Sequence, residues 1–396
     1  MDDAVNPRGV PAAAAPPRDP VRASAALLRR WQHPSGAWPA APGFAPYRFC
    51  WFRDGAFVAD GASAAGDGAA ADAFHDWCAA VLRREAAAVA VVERAAARGE
   101  ILPDDGYLPA RYDLLGHRHA DDWWTFQIDG YGTWLWALRR HLRRAGANAA
   151  PAERWAGAVT IATRYLLATA HATCRDWWEE HRHHRHVATL SGVVAGLRAA
   201  VDLGMLDAAV ADRAQALIAT LRADLDEGGT APGGHLRSWL REPGGDPPDR
   251  LTGKRGSDVD ASLLAVAAWY DVLALDDPRV AATVDAVERT LTSGPGTSGV
   301  HRYAADTFYG GGQWPVLACM LAGHHARAGA ADRARDLLAW VRDRADAEGH
   351  LPEQAGPWLA PDRRAEWERR WGPPAHPLVW SHGMLLSASE MVAAAT

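Results

Sequence analysis

The connections between helical segments constrain this chain more than the segments themselves do. Apolar residues recur at helical spacing: Val187, Leu190, Val193, Val194, Leu197 and Val201 share one face, with Gly204 as a stop. Leu206, Val210, Leu217, Leu221 and Leu225 repeat the pattern up to Gly228 and Gly229. Strand signals are nearly absent. The spacing predicts helices over 21–33, 53–66, 70–99, 129–145, 151–172, 187–203, 207–226, 258–272, 278–293, 312–328, 331–347 and 378–395. Links after the even-numbered helices are short, and those after the odd-numbered ones are long, covering 34–52, 100–128, 173–186, 228–257, 294–311 and 349–377. Alternating short and long links between antiparallel helices gather every long loop at one end. Six helix pairs closed in a ring give an all-α fold, an (α/α)6 barrel of twelve helices with six long loops around one mouth. With no fixed-period repeat and no internal linker, residues 21–396 read as one domain, preceded by an Ala/Pro-rich segment, 1–20, expected to be disordered.

The totals exclude several partners. There are 42 basic and 48 acidic side chains, a formal net charge of -6, so no basic field exists for nucleic acid or anionic lipid. A small neutral or weakly polar ligand fits better. The start, "MDDAVNPRGVPAAAAPPRDP", is acidic and broken by prolines, unlike a signal peptide, and no apolar run reaches membrane-spanning length. Cys50, Cys78, Cys174 and Cys319 form no CxxC pair and read as reduced thiols, which suits a cytoplasmic protein. Nothing in the sequence bears on oligomeric state.

Tryptophan is the anomaly: the 19 Trp outnumber Tyr and Phe together, and ten of them fall on the long loops. An indole offers a broad apolar face for a sugar ring and one N–H for a hydroxyl. The same loops carry the densest charge. In "YRFCWFRDGAF", Arg53 and Asp54 can form a fork for vicinal hydroxyls beside Trp51, with Tyr47 close by; a local ion pair and helix cap is the plainer alternative. "DDWWTFQIDG" brings Trp123 and Trp124, as mouth lining or as anchors. "CRDWWEEHRHHRH" sets Glu179 and Glu180 beside Trp177 and Trp178, where apolar contact and a like-charged neighbour both disfavour ionisation. Its histidines have no i, i+4 pair and no zinc-type partners, so the segment reads as a solvated basic turn; no metal and no cofactor are expected. "GVHRYAADTFYGGGQWP" adds Arg302, and "LPEQ" adds Glu353. Two carboxylates on separate loops of one Trp-lined mouth are the minimal equipment for glycoside hydrolysis.

The motifs "CWFRD", "WWTFQIDG", "DWWEE", "VDASLL", "DTFYGGGQWP", "LPEQ" and "PLVWSHGMLL", in that order across about 45–395, resemble glycoside hydrolase family 15, the glucoamylase-type exo-α-glucosidases. The resemblance implies an inverting hydrolase with Glu179 as general acid and Glu353 as general base. It further implies that Arg53, Asp54, Glu180 and Arg302 hold hydroxyls of the terminal glucosyl unit, that Trp51, Trp123 and Trp178 wall the site, and that Tyr47 helps place the attacking water. Glu179 is then expected to keep its proton in mild acid, where Glu353 is ionised. Two departures, "HRHHRH" after the paired glutamates and "FQIDG" for "PQxDG", fall where the leaving-group sugar would bind. Short α-1,6-linked glucosides are the expected substrates. The alternatives are a glucoamylase or trehalase-type activity, a disaccharide phosphorylase, and a sugar-binding protein without catalysis.

Overall fold

A computed structural model of the protein describes residues 19–121, 123, 126–146, 152–250, 252–294 and 299–395. Most of the predicted N-terminal segment, 1–18, lies outside them, as do Trp124 and Thr125. The α-helices are α1 (Pro20–Trp31), α2 (Phe52–Ala64), α3 (Gly68–Arg84), α4 (Ala86–Ala97), α5 (Asp129–Ala145), α6 (Ala156–Thr169), α7 (Val187–Asp202), α8 (Ala208–Gly228), α9 (Ala265–Ala268), α10 (Pro278–Thr290), α11 (Pro315–Arg327), α12 (Ala331–Arg342), α13 (Pro361–Trp371) and α14 (Val379–Ala394). A two-residue antiparallel pair, β1 (Cys50–Trp51) with β2 (Arg111–Tyr112), joins the first two long loops.

Helices α2, α5, α7, α9, α11 and α14 pack each against the next, and α14 returns to α2, closing an inner ring. The outer ring is α1, α3 with α4, α6, α8, α10 and α12. This is the (α/α)6 barrel. Glycines set how closely the inner helices cross. A Cβ built on Gly61 of α2 would lie 2.2 Å from the Gly383 carbonyl oxygen of α14, and one on Gly196 of α7 would lie 2.4 Å from Gly132 Cα of α5.

Three segments differ from the sequence reading. The helix expected over 70–99 breaks at Glu85, whose carboxylate accepts Arg118 Nε at 2.9 Å and Nη2 at 2.8 Å from the second loop. The helix expected over 258–272 is a 3₁₀ turn, Ala261–Leu264, followed by the single turn of α9, and Asp271 beyond it takes a left-handed φ of 53°. The loop 349–377 contains α13, which buries none of its residues and is held by Arg363 to Glu366 at 3.0 Å and Arg364 to Glu368 at 2.7 Å. An exposed helix carries no apolar stripe, so periodicity could not reveal it; Pro361 at its start and the Arg/Glu pairs at i, i+3 and i, i+4 were the available signal.

Every inner helix is entered from a long loop, and neighbouring loops are stitched together around the mouth. Loop one pairs with loop two through β1 and β2. Arg175 N donates to Phe126 O at 3.2 Å, Leu240 N to Arg185 O at 3.0 Å, Ala261 N to Arg302 O at 2.9 Å, and Gln313 N to Ala355 O at 2.8 Å. Val379 N to Ala40 O, at 2.9 Å, returns to the first loop. Backbone donors and acceptors that would otherwise be stranded in a buried mouth are thereby satisfied by adjacent loops.

Candidate active site

The mouth brings Glu179 of the third loop and Glu353 of the sixth to the same tyrosine. Tyr47 packs edge-on against Trp51 and Trp123, the two indoles that bond Glu179, with ring centroids 5.7 and 6.2 Å away, and its hydroxyl is pushed to a higher pKa by burial and then by the charges of Glu353 and Glu179. Glu179 stands at a left-handed φ of 64°, an arrangement that costs a non-glycine residue of order 1 kcal/mol and is concentrated at functional positions. Its carboxyl accepts Trp51 Nε1 on Oε1 and Trp123 Nε1 on Oε2, both at 2.6 Å. Burial raises its pKa; Arg53, the two indole N–H groups and Arg111 pull it back.

Glu353 is 1% exposed and its backbone N–H donates to Ala375 O at 2.9 Å. Burial pushes its carboxyl up to about 7, against weaker lowering from Tyr47 and Arg302. The expectation that Glu353 is the carboxylate ionised in mild acid is therefore corrected. The reason is desolvation: Glu179 has two donors and two guanidinium groups about it, whereas Glu353 Oε2 has no protein hydrogen-bond partner among the described residues. Gln354 Nε2, Tyr309 Oη and Trp314 Nε1 are buried and unpartnered in the same way. Buried polar atoms are normally paired, so this cluster suits a ligand rich in hydroxyls.

Arg53 and Asp54 occupy the first turn of α2, and both alternatives left open for them hold in part. Arg53 Nε lies 3.3 Å from Asp54 Oδ1, while its Nη1 donates to Gln127 Oε1 at 3.1 Å and to Asp129 Oδ2 at 3.2 Å. Burial, with the charges of Glu179 and Asp129, pushes Asp54 up to about 6 against the lowering from Arg53. The Gln and Asp of "FQIDG" are thus the supports of Arg53. On the far wall, Arg302 is bidentate to Asp306, Nε to Oδ2 at 2.8 Å and Nη2 to Oδ1 at 2.5 Å, and reaches Glu180 Oε1 at 3.4 Å. Tyr303 donates its hydroxyl to Glu180 Oε2 at 2.5 Å.

The ten site residues read from the sequence fall into two contact groups, Tyr47, Trp51 and Trp123 with Glu179 beside the Arg53–Asp54 pair, and Glu180 and Trp178 about Arg302, with Glu353 beside Tyr47. The indoles differ from expectation in one respect, because their N–H groups are already engaged by carboxylates: Trp51 and Trp123 by Glu179, and Trp178 by Asp260 at 3.1 and 3.2 Å. Their rings can wall the pocket while their donors hold acids in place. Sequence reading missed Arg111, whose guanidinium lies 4.1, 4.5 and 5.1 Å from the ring centroids of Phe49, Trp123 and Trp51. It also passed over Asp260 within the quoted motif "VDASLL".

The histidine segment is solvated only in part, at Arg182 and His183. His181 and His186 are buried, His181 bonding Asp176 Oδ2 at 2.7 Å and His186 donating to the carbonyls of Cys174 and His181. His184 stacks on Trp239 at 4.2 Å. Asp176 Oδ1 in turn accepts the backbone N–H of Trp178 and of Glu180 at 3.0 and 2.9 Å, so these histidines help brace the paired glutamates.

The profile of glycosyl hydrolases family 15 matches residues 21–360. The chain belongs to glycosyl hydrolases family 15. It is 42% identical to an isomaltose glucohydrolase of Kribbella flavida over 372 residues, 93% of this chain and 91% of that protein. Among solved structures, a glycosidase variant in complex with glucose superposes with a TM-score of 0.86 at 41% identity, covering 94% of this chain and 96% of that one. A glucoamylase from Saccharomycopsis fibuligera shares the fold at 15% identity, TM-score 0.72, over 98% of each chain. The chain is a glycoside hydrolase. Among the described residues no helix is long and apolar enough to cross a membrane.

Proposed function

We propose that this glycosidase is an inverting, exo-acting α-glucosidase that releases β-glucose from the non-reducing end of short α-1,6-linked glucosides such as isomaltose. The carrying observation is the pair Glu179 and Glu353, presented by opposite loops to one tyrosine. The likeness to the isomaltose glucohydrolase along almost the whole chain supports the substrate class. In this reading residues 21–396 act as one catalytic domain in the cytoplasm, a compartment that suits four free, buried cysteines.

Glu179 is the general acid. Each carboxyl oxygen has two lone-pair sites, so the group can carry a proton toward the glycosidic oxygen while still accepting the indole N–H groups. Arg53, Asp54, Glu180 and Arg302 hold hydroxyls of the terminal glucosyl unit, and Trp51, Trp123 and Trp178 wall it. The reacting form is the singly protonated pair with its proton on Glu179, and in that form Glu353, ionised, takes a proton from a water that Tyr47 helps to position. That water's oxygen bonds to the anomeric carbon from the face opposite the leaving group. As the glycosidic bond breaks, its electron pair takes the Glu179 proton, and an α-linkage becomes β-glucose. The mechanism requires the two carboxyls to stand roughly 6.5 to 9.5 Å apart.

Proton NMR of the first product formed from isomaltose tests this, with β-glucose expected; initial α-glucose would overturn the role of Glu353. A screen of isomaltose, isomaltotriose, maltose, trehalose, nigerose and soluble starch tests the linkage, and greater catalytic efficiency on starch than on isomaltose would refute it.

A further inference from the structure

Lys254 is the single lysine of the 396-residue chain, and it is fully buried. It lies on the fourth long loop, which supplied none of the site residues read from the sequence. Its ammonium is ion-paired with Asp260. Asp260 is the group that receives the Trp178 indole N–H, and it also accepts the Ser262 hydroxyl at 2.7 Å. On its other side the ammonium stands 4.4 Å from the centroid of the Tyr303 ring, and Tyr303 is the residue that donates to Glu180. One cation therefore touches both the support of an indole wall and the support of a carboxylate.

The loop around it is fixed to the same region. Lys254 N–H donates to Thr252 Oγ1 at 3.2 Å, and that hydroxyl lies 2.8 Å from His181 Nε2. His181 holds Asp176, which receives the backbone N–H groups of Trp178 and Glu180. Every other basic side chain of the Lys/Arg type is arginine. A compact ammonium can sit between a carboxylate and the face of a ring, where a planar guanidinium would need a wider slot and more acceptors.

We propose that Lys254 is a positioning residue of the active site, acting through Asp260 and the Tyr303 ring to fix Trp178 and Glu180 against the sugar. The inference rests on the reading above that Trp178 and Glu180 contact the terminal glucosyl unit. Its chemistry is electrostatic and involves no bond to substrate.

Because the lysine is unique, labelling the whole protein with [15N]lysine gives one backbone amide and one ammonium probe. Both resonances are expected to move as glucose is titrated in. Lys254→Met is expected to raise KM for isomaltose about tenfold or more while kcat changes less than about threefold, and to weaken glucose binding, read by tryptophan fluorescence, in parallel. The double variant Lys254→Met with Asp260→Asn is expected to be no weaker a binder than Lys254→Met alone, since both changes cut one path. Unmoved lysine resonances at saturating glucose, an unchanged KM and glucose affinity in Lys254→Met, or single-variant effects that multiply in the double variant would each overturn the inference. If Lys254→Met does not fold, the titration of the wild-type protein decides. A wild-type protein that hydrolyses no α-glucoside, but whose lysine resonances follow glucose, would refute the proposed function and leave this inference standing.

Discussion

Glu353 sets stability and activity against each other, and replacing it by glutamine should raise stability relative to the wild type progressively as the pH rises. Its carboxyl goes from an ordinary value of 4.5 to about 7 in the folded protein, with burial as the main cause. A raised folded pKa means that the native state holds this proton more tightly than the unfolded chain does. The contribution to stability is thus fully present below pH 4.5 and is lost as the pH climbs to 7. At roughly 1.4 kcal/mol per pKa unit, keeping the ionised group buried costs about 3 kcal/mol above neutrality. Glu353→Gln does not titrate. Any fixed cost of burying an amide there is the same at every pH and cancels from the comparison. The difference in unfolding free energy between Glu353→Gln and wild type, from urea titrations at pH 4 and pH 8, should therefore shift by about 3 kcal/mol in favour of the variant at the higher pH. A difference that does not change with pH would refute the account of Glu353 as a strongly desolvated carboxyl.

Glu179→Gln should lose on the order of 100-fold or more in kcat on isomaltose but retain more activity on α-glucosyl fluoride, whose leaving group needs less protonation; Glu353→Gln should be crippled on both, because the water still lacks its base. Steady-state rates on the two substrates check this, and equal losses by Glu179→Gln on both would contradict its role as acid. Indole N–H bonds favour the ionised form of Glu179, so Trp51→Phe should raise its pKa and move the limb of the kcat/KM profile that Glu179 sets to higher pH; a profile with neither limb moved upward would count against it as the group protonated for catalysis. Dialysis against a strong chelator should leave activity intact. If it abolished activity and zinc or calcium restored it, Asp176, Glu180 and His181, which offer ligand atoms within 4.8 Å of one another, would have to be read as a metal site.

The sequence by itself determined the barrel and the position of its mouth. Periodic apolar faces mark each buried helix, and the alternation of link lengths decides which ends meet, because both are local properties of the chain. The chemistry-bearing residues on the long loops were legible for the same reason: Glu179 and Glu180 beside indoles and Glu353 after a proline are visible in runs of a few residues. Helix α13 was not, since it buries nothing and leaves no apolar period. The tertiary structure alone decided which groups support the site. Arg111 and Trp51 become neighbours only through the β1 and β2 pairing, Lys254 reaches Tyr303 only across two loops, and His181 turns inward only because Asp176 and Thr252 meet it. It also decided the protonation of Glu353, because desolvation is set by side chains distant in the sequence that close over the carboxyl, and no local pattern encodes how completely they do so.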